Sequence, residues 1–157
     1  MRTITILGVG DILVHKEILA QALEDSTDDK PDFFPQLEGV QQLVESADLA
    51  ICHMETPLVT LGAETVNAPP QLVDALVSMG FDSCSTASNH SLDQGFDGVV
   101  STNAAFDEAG LPHAGMAGSE EDTQRINIVD VKGVPVAHLS YTYGFDGIPA
   151  PTDWCCN

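Results

Sequence analysis

Three short apolar runs constrain this chain most, because each reads as a buried strand and each stops at residues able to hold a ligand. The first, Thr3 to Val9 (T-I-T-I-L-G-V), is β-branched and almost wholly apolar, as a central parallel strand would be. Small residues at Gly8-Val9-Gly10 then let the backbone turn tightly into Asp11, and His15 follows one helical turn later. The second run, Asp48 to Met54 (D-L-A-I-C-H-M), carries His53 and Glu55 at its end before Thr56-Pro57 breaks the pattern. The third opens the stretch Phe81 to Gly98 (F-D-S-C-S-T-A-S-N-H-S-L-D-Q-G-F-D-G), a short strand that passes into a helix. At that joint Asn89 and His90 stand side by side, with Asp93 three residues on. Strand ends that open into helix starts are where α/β sheets hold their ligands. In a parallel sheet the three ends lie on one edge, so groups distant in sequence can converge.

Helical spacing fills the intervals. Ile18, Leu19, Ala22 and Leu23 mark the inner face of a short helix. Pro35 starts a second, with Leu37, Val40, Leu43 and Val44 at the helical interval, and Pro70 opens a third with Leu72, Ala75, Leu76 and Met79. Gly80 caps that helix, and a fourth runs through Phe96, Val99, Val100, Asn103 and Phe106 to Gly110. Leu58 to Pro69 is a long connection. Arg125 to Val131 and Val134 to Tyr141 read as strands joined by a Lys132-Gly133 hairpin turn. The order βαβαβ followed by a hairpin predicts one α/β layered domain over the 157 residues.

Charge narrows the partners. With 24 acidic against 5 basic residues the formal net charge is -19, which repels nucleic acid and anionic lipid. An anionic substrate would need a cation to screen it. No window reaches the roughly 18 apolar residues of a membrane span, and Met1-Arg2-Thr3 leads straight into a strand, so the expected location is cytoplasmic. Glu24 to Asp32 is acidic but lacks the glycine and closing Glu of a calcium loop. Cys52 and Cys84 fall in buried strands, where Cys serves as a small hydrophobe, and no disulfide framework or zinc knuckle is expected. His113 and His138 read as structural.

The strand-end residue types suit a divalent metal: Asn89 offers a carbonyl oxygen, His90 a nitrogen or a proton, Asp93 a carboxylate. Turn chemistry alone also explains Asn and Asp there, with Asp93 in the first turn of the helix. Three such ends in succession favour the metal. Glu55 would bridge two cations, Asp11 would bind one and Asn89 the other, and His90 would protonate the departing oxygen.

Four segments carry a resemblance. G-D-I-L-V-H at Gly10 to His15, H-M-E-T-P at His53 to Pro57, S-N-H-S-L-D-Q-G at Ser88 to Gly95 and S-Y-T-Y-G at Ser140 to Gly144 resemble the CapA family. These are poly-γ-glutamate or capsule synthesis proteins of the calcineurin-like metallophosphatase superfamily, and the likeness runs from Thr3 to Pro151. It implies a metallophosphatase-like αββα sandwich, of which this chain supplies the N-terminal sheet, its helices and a hairpin. It also implies a di-metal site (Mn, Zn, Fe or Mg) with Asp11, Glu55 and Asn89 as ligands and His90 as the acid. His15, His53 and Asp93 stand as further ligands or as residues that orient them. The spacing of His15 from Asp11 departs from the Asp-x-His of typical metallophosphatases, and His53 stands where many members carry Asn.

The family normally continues into a second half with further histidines, whereas here Asp153 to Asn157 forms a tail with no counterpart. A truncated sandwich of this kind should expose apolar surface and self-associate. Two functions are compatible with the resemblance: metal-assisted hydrolysis or transfer on an anionic substrate or polymer, or a non-catalytic accessory role in an envelope synthase complex. The second includes an inactive fragment.

Overall fold

The computed structural model describes residues 3–28, 30–60 and 68–157. Its main sheet is parallel, in the order β1 (Ile6–Ile12), β2 (Leu49–Met54), β3 (Ser83–Ser85), β4 (His113–Ala114). Helices α1 (Lys16–Glu24), α2 (Phe34–Leu37), α3 (Gln41–Glu45), α4 (Gln71–Ser78) and α5 (Gly95–Ala109) connect the strands. The expected α/β class is therefore what the chain adopts. Part of the long connection, residues 61–67, lies outside the described residues.

The first strand departs from expectation. Among the described residues it stands at the edge of the sheet, paired with β2, and Ile6 is 54% exposed. A run as apolar as T-I-T-I-L-G-V resembles a buried central strand because composition reports hydrophobicity, whereas edge or centre depends on distant pairing. A register shift between Gly8 and Asp11 also lets the strand run on to Ile12, so Asp11 lies within β1 and faces His53 on β2.

The core sits between this sheet and α1, α2 and α4. Met54 and Cys52 on β2, Leu72 and Leu76 on α4, and Phe106 on α5 are almost fully buried there. The α1 stripe is only partly used: Ala22 is buried, but Ile18 and Leu23 are 41% and 46% exposed. The helix expected from Pro35 is broken by a 3-10 turn at Glu38–Val40, leaving Val44 buried while Val40 and Leu43 face solvent. Gly39 at the centre of that turn is the local cause. α5 ends as expected, with Gly110 left-handed at φ +69 and its N–H bonded to the Phe106 carbonyl.

β5 (Asn127–Val131) and β6 (Val134–His138) form a separate antiparallel hairpin. Lys132 and Gly133 both have positive φ, the requirement of the tight hairpin turn. Polar contacts dock this hairpin on the main sheet, among them the ion pair of Lys132 with Asp48. Ser83 Oγ lies 2.7 Å from His138 Nδ1, Asn127 Nδ2 donates to Ser83 Oγ at 2.7 Å, and Ala87 N–H donates to Ser140 Oγ at 3.2 Å. His138 is a hydrogen-bonded core residue, and His113 packs on the Phe106 ring at 5.1 Å between centroids.

Burial holds both of these imidazoles below the ordinary histidine value of 6.5. Below that value the unfolded chain binds more protons, so their contribution to stability is present above it and lost on acidification. The gap in melting temperature between the parent and His138→Gln should narrow from pH 7.5 to pH 5.5. A gap that stays constant or widens would contradict this.

One cysteine expectation is corrected. Cys52 and Cys84 are register partners on adjacent strands, with Cα atoms 4.4 Å apart, and their sulfurs are joined as a disulfide. A separation of 32 residues gives no hint of that register. The tail is also part of the fold: Cys155 is fully buried, Trp154 packs edge-on against Phe96, and Ala117 N–H donates to the Cys155 carbonyl at 2.7 Å.

Candidate metal centre

The C-terminal ends of β1, β2 and β3 carry two groupings of polar side chains. In the first, Asp11 Oδ1 lies 3.7 Å from His53 Nε2, as the β1–β2 register dictates. Alternation along β2 sends Cys52 and Met54 into the core and leaves His53 and Glu55 on the other face. His53 thus meets Asp11. Asp11 is 64% exposed at its side chain. His15 supplies its carbonyl to the first turn of α1, accepting from Leu19 N–H, and its side chain is exposed.

The second grouping centres on His90. Asp93 Oδ2 is hydrogen-bonded to His90 Nδ1 at 2.8 Å, and the opposite ring nitrogen lies 3.9 Å from both Glu55 Oε1 and Asp146 Oδ2. The hydrogen bond to Asp93 holds the imidazole above its ordinary value, against a smaller opposing effect of burial, and the Glu55 and Asp146 charges reinforce it. An imidazole whose protonated form is favoured in this way is suited to give up a proton. Asp93 belongs to the turn before α5, which starts at Gly95, and not to the helix's first turn. That placement lets its carboxylate fold back on His90.

The turn itself is tightly built. Ser88 N–H donates to Ser91 Oγ, Ser91 Oγ donates to the Thr86 carbonyl, and Ser88 Oγ accepts from His90 N–H and donates to Asn89 Oδ1. Asn89 Nδ2 donates to Asp146 Oδ2 at 2.9 Å. Asp146 is the residue that sequence reasoning missed. It lies two positions beyond the S-Y-T-Y-G segment, and the glycines at 144 and 147 are the only local sign of a turn there.

The donor set fits a divalent cation in one telling respect: Glu55 Oε2 is buried and has no hydrogen-bond partner among the described residues. A carboxylate oxygen left without a donor at a sheet edge, with an imidazole 3.9 Å from the carboxylate's other oxygen, is chemically matched to a hard or borderline metal ion. As the side chains stand, no group of three or more His, Cys, Asp or Glu among the described residues is arranged to hold one. Glu55, Asp93 and Asp146 lie around the His90 ring and Asn89 is tied to Asp146, while Asp11 pairs with His53 in a separate grouping.

The fold and these sheet-edge residues define a mixed α/β protein with a polar cluster at the ends of its parallel strands. Comparison with known proteins then gives the family. Residues 5–156 match the family described as bacterial capsule synthesis protein PGA_cap, and the chain belongs to it. The match takes in the terminal segment that the sequence reading left without a counterpart. Two proteins of Sinorhizobium fredii (strain NBRC 101917 / NGR234), named "Uncharacterized protein y4sH" and "Uncharacterized protein y4uA", are 27% and 28% identical over 152 residues, 90% of this chain and 31% of each relative. The "Capsule biosynthesis protein CapA" of Bacillus anthracis is 35% identical over 80 residues, 51% of this chain and 20% of that protein. The chain thus spans about a third of the length of the first two relatives. No helix among the described residues is long and apolar enough to cross a membrane.

Proposed function

We propose that the strand-end cluster binds divalent metal and serves metal-assisted hydrolysis or transfer on an anionic substrate or polymer of capsule or poly-γ-glutamate synthesis. The fold of this reading is a metallophosphatase-like αββα sandwich, with the parallel sheet as one layer and the β5–β6 hairpin as the start of another. The observation that carries it is the buried, partnerless Glu55 Oε2 beside the Asn89–His90 turn. Glu55, Asn89 and Asp11 would hold the metal, with His53 against Asp11. When bound, such ions screen substrate charge and activate water. His90, hydrogen-bonded at Nδ1 to Asp93, would give a proton to the leaving oxygen, a contribution of about a hundredfold to ten thousandfold.

The test is turnover of an aryl phosphodiester by the manganese-supplemented protein. The expected result is activity that falls by about a hundredfold or more in His90→Ala while manganese uptake persists. Uptake without turnover in the parent would contradict the catalytic reading. It would favour the second one, an accessory module of an envelope synthase complex, which the separation of Asp11–His53 from the His90 cluster supports. The exposed edge of β1, with Ile6, and the exposed Ile126, Ile128 and Leu139 support self-association under either reading. Light scattering should find species larger than the 16.6 kDa monomer; a monodisperse monomer would contradict it.

A further inference from the structure

The β5–β6 hairpin has two faces of opposite character. Its inner face carries Asn127, Val131 and His138; Asn127 and His138 meet Ser83, and Val131 and His138 are buried. Register partners share a face, so Ile128 and Ala137 stand together on the outer one, and both are exposed. Past β6 the same alternation continues. Ser140 is buried, with its Oγ accepting from Ala87 N–H, while Leu139, Tyr141 and Tyr143 turn outward. Ile126, Ile128, Leu139, Tyr141 and Tyr143 are each more than half exposed. Together they form a ribbon of apolar surface, not a scatter of single side chains, and such a patch marks an interaction site.

Charge decides what covers it. With a formal net charge of -19, two copies of the chain repel one another across most of their surfaces. The stretch from Gly133 to Phe145 (G-V-P-V-A-H-L-S-Y-T-Y-G-F) contains no Asp, Glu, Lys or Arg, and neither does Ile126 to Val129 on the paired strand. Asp130, the acid that shares the outer face, lies beside the turn with its Oδ1 accepting from Gly133 N–H at 2.9 Å. Arg125, at the other end of β5, is held by Asp107 and Asp122. A second copy can therefore approach this ribbon without setting carboxylate against carboxylate. The apolar edge of β1 differs, because the exposed Asp11 lies within that strand and would be carried into the contact. A basic partner would be drawn to the acidic faces instead.

We infer that the outer face of the β5–β6 hairpin, continued by Leu139, Tyr141 and Tyr143, is the interface between two copies of this chain related by a two-fold axis. Each copy presents the same self-complementary patch, and closure about the axis ends the association at a dimer. The tyrosines are its anchors, since rigid aromatic side chains give large contact area at low entropic cost. This rests on the self-association stated above and goes beyond it by assigning the face, the partner and the stoichiometry.

Sedimentation velocity at low and high salt, on the parent, Ile128→Lys, Leu139→Lys, Tyr141→Ala and Ile6→Lys, tests it. The parent should dimerise, and more tightly as salt screens the like charge. Each of the three hairpin-face variants should weaken the dimer by about tenfold or more. The two lysine variants should do so although they lower the net negative charge and relieve repulsion, and Tyr141→Ala does it with no change of charge. Ile6→Lys should dimerise at least as tightly as the parent. Melting temperatures near the parent's show that each variant is folded, as expected for exposed positions; Tyr141→Ala decides the matter if a lysine variant is not. Loss of association in Ile6→Lys, with parent-like behaviour on the hairpin face, would overturn the proposal and move the interface to the β1 edge. Species that grow beyond a dimer with concentration would contradict the two-fold closure. A parent that remains a 16.6 kDa monomer throughout would remove self-association itself, and this interface with it.

Discussion

Glu55→Gln should lose manganese uptake by at least about tenfold and, in the presence of a chelator, melt higher than the parent. The two effects have one origin. Glu55 is 14% exposed at its side chain, its Oε2 has no partner, and its Oε1 shares a single imidazole with the carboxylates of Asp93 and Asp146. Without a cation this is a buried charge short of donors, and such groups reduce stability. An amide of the same shape removes the charge, so a gain of about 1 kcal/mol, or about 2–4 °C in melting temperature, is expected. The loss of affinity follows because a neutral amide oxygen is a far weaker ligand for a hard cation than a carboxylate. Melting curves with and without manganese check both halves together. A variant that melts below the parent in chelator would show that Glu55 is a structural group already satisfied in the fold.

Gly115→Ala should be the most damaging single methyl group in the molecule, because it strikes the fold and the site at once. Gly115 has φ +131, a conformation that side chains rarely adopt, and an added Cβ would sit 2.3 Å from the Ala87 amide nitrogen and 2.8 Å from the Ala87 Cβ. The exit of β3 is anchored there: Thr86 N–H donates to the Ala114 carbonyl, and Ala87 N–H donates to Ser140 Oγ. Backbone cannot yield as a flexible side chain can, so β4 and the segment leading to Asn89 must separate. Strain and overpacking together suggest a loss of about 3 kcal/mol, or about 6–12 °C. The surviving folded protein should also bind manganese more weakly, since Ala87 lies two residues before Asn89. A melting temperature within about 2 °C of the parent would contradict the close packing of β4 on this turn.

What the sequence disclosed follows a physical division. The F-D-S-C-S-T-A-S-N-H stretch was legible because a short apolar strand, a serine-rich turn and a helical repeat are local signals, and the structure places β3, the turn and α5 there. The hairpin was legible for the same reason, since Lys132-Gly133 carries the turn chemistry. β1 was misread as central because its neighbours are set by pairing over 40 residues away. The Cys52–Cys84 disulfide was invisible because only the β2–β3 register brings the two together. Within the site, the Asp93–His90 hydrogen bond was within reach of a spacing argument, as the two are three residues apart. Asp146 was not, because it arrives from beyond the hairpin and owes its place to Phe145 and to a backbone conformation no composition reveals.

Calorimetric titration of manganese into the parent, Asp11→Ala and Asn89→Ala tests most directly the claim that separate strand ends share one metal centre. The account predicts uptake by the parent and affinity reduced by at least about tenfold in each variant, although Asp11 and Asn89 lie on different strands. No uptake by the parent, or uptake indifferent to Asp11, would contradict it.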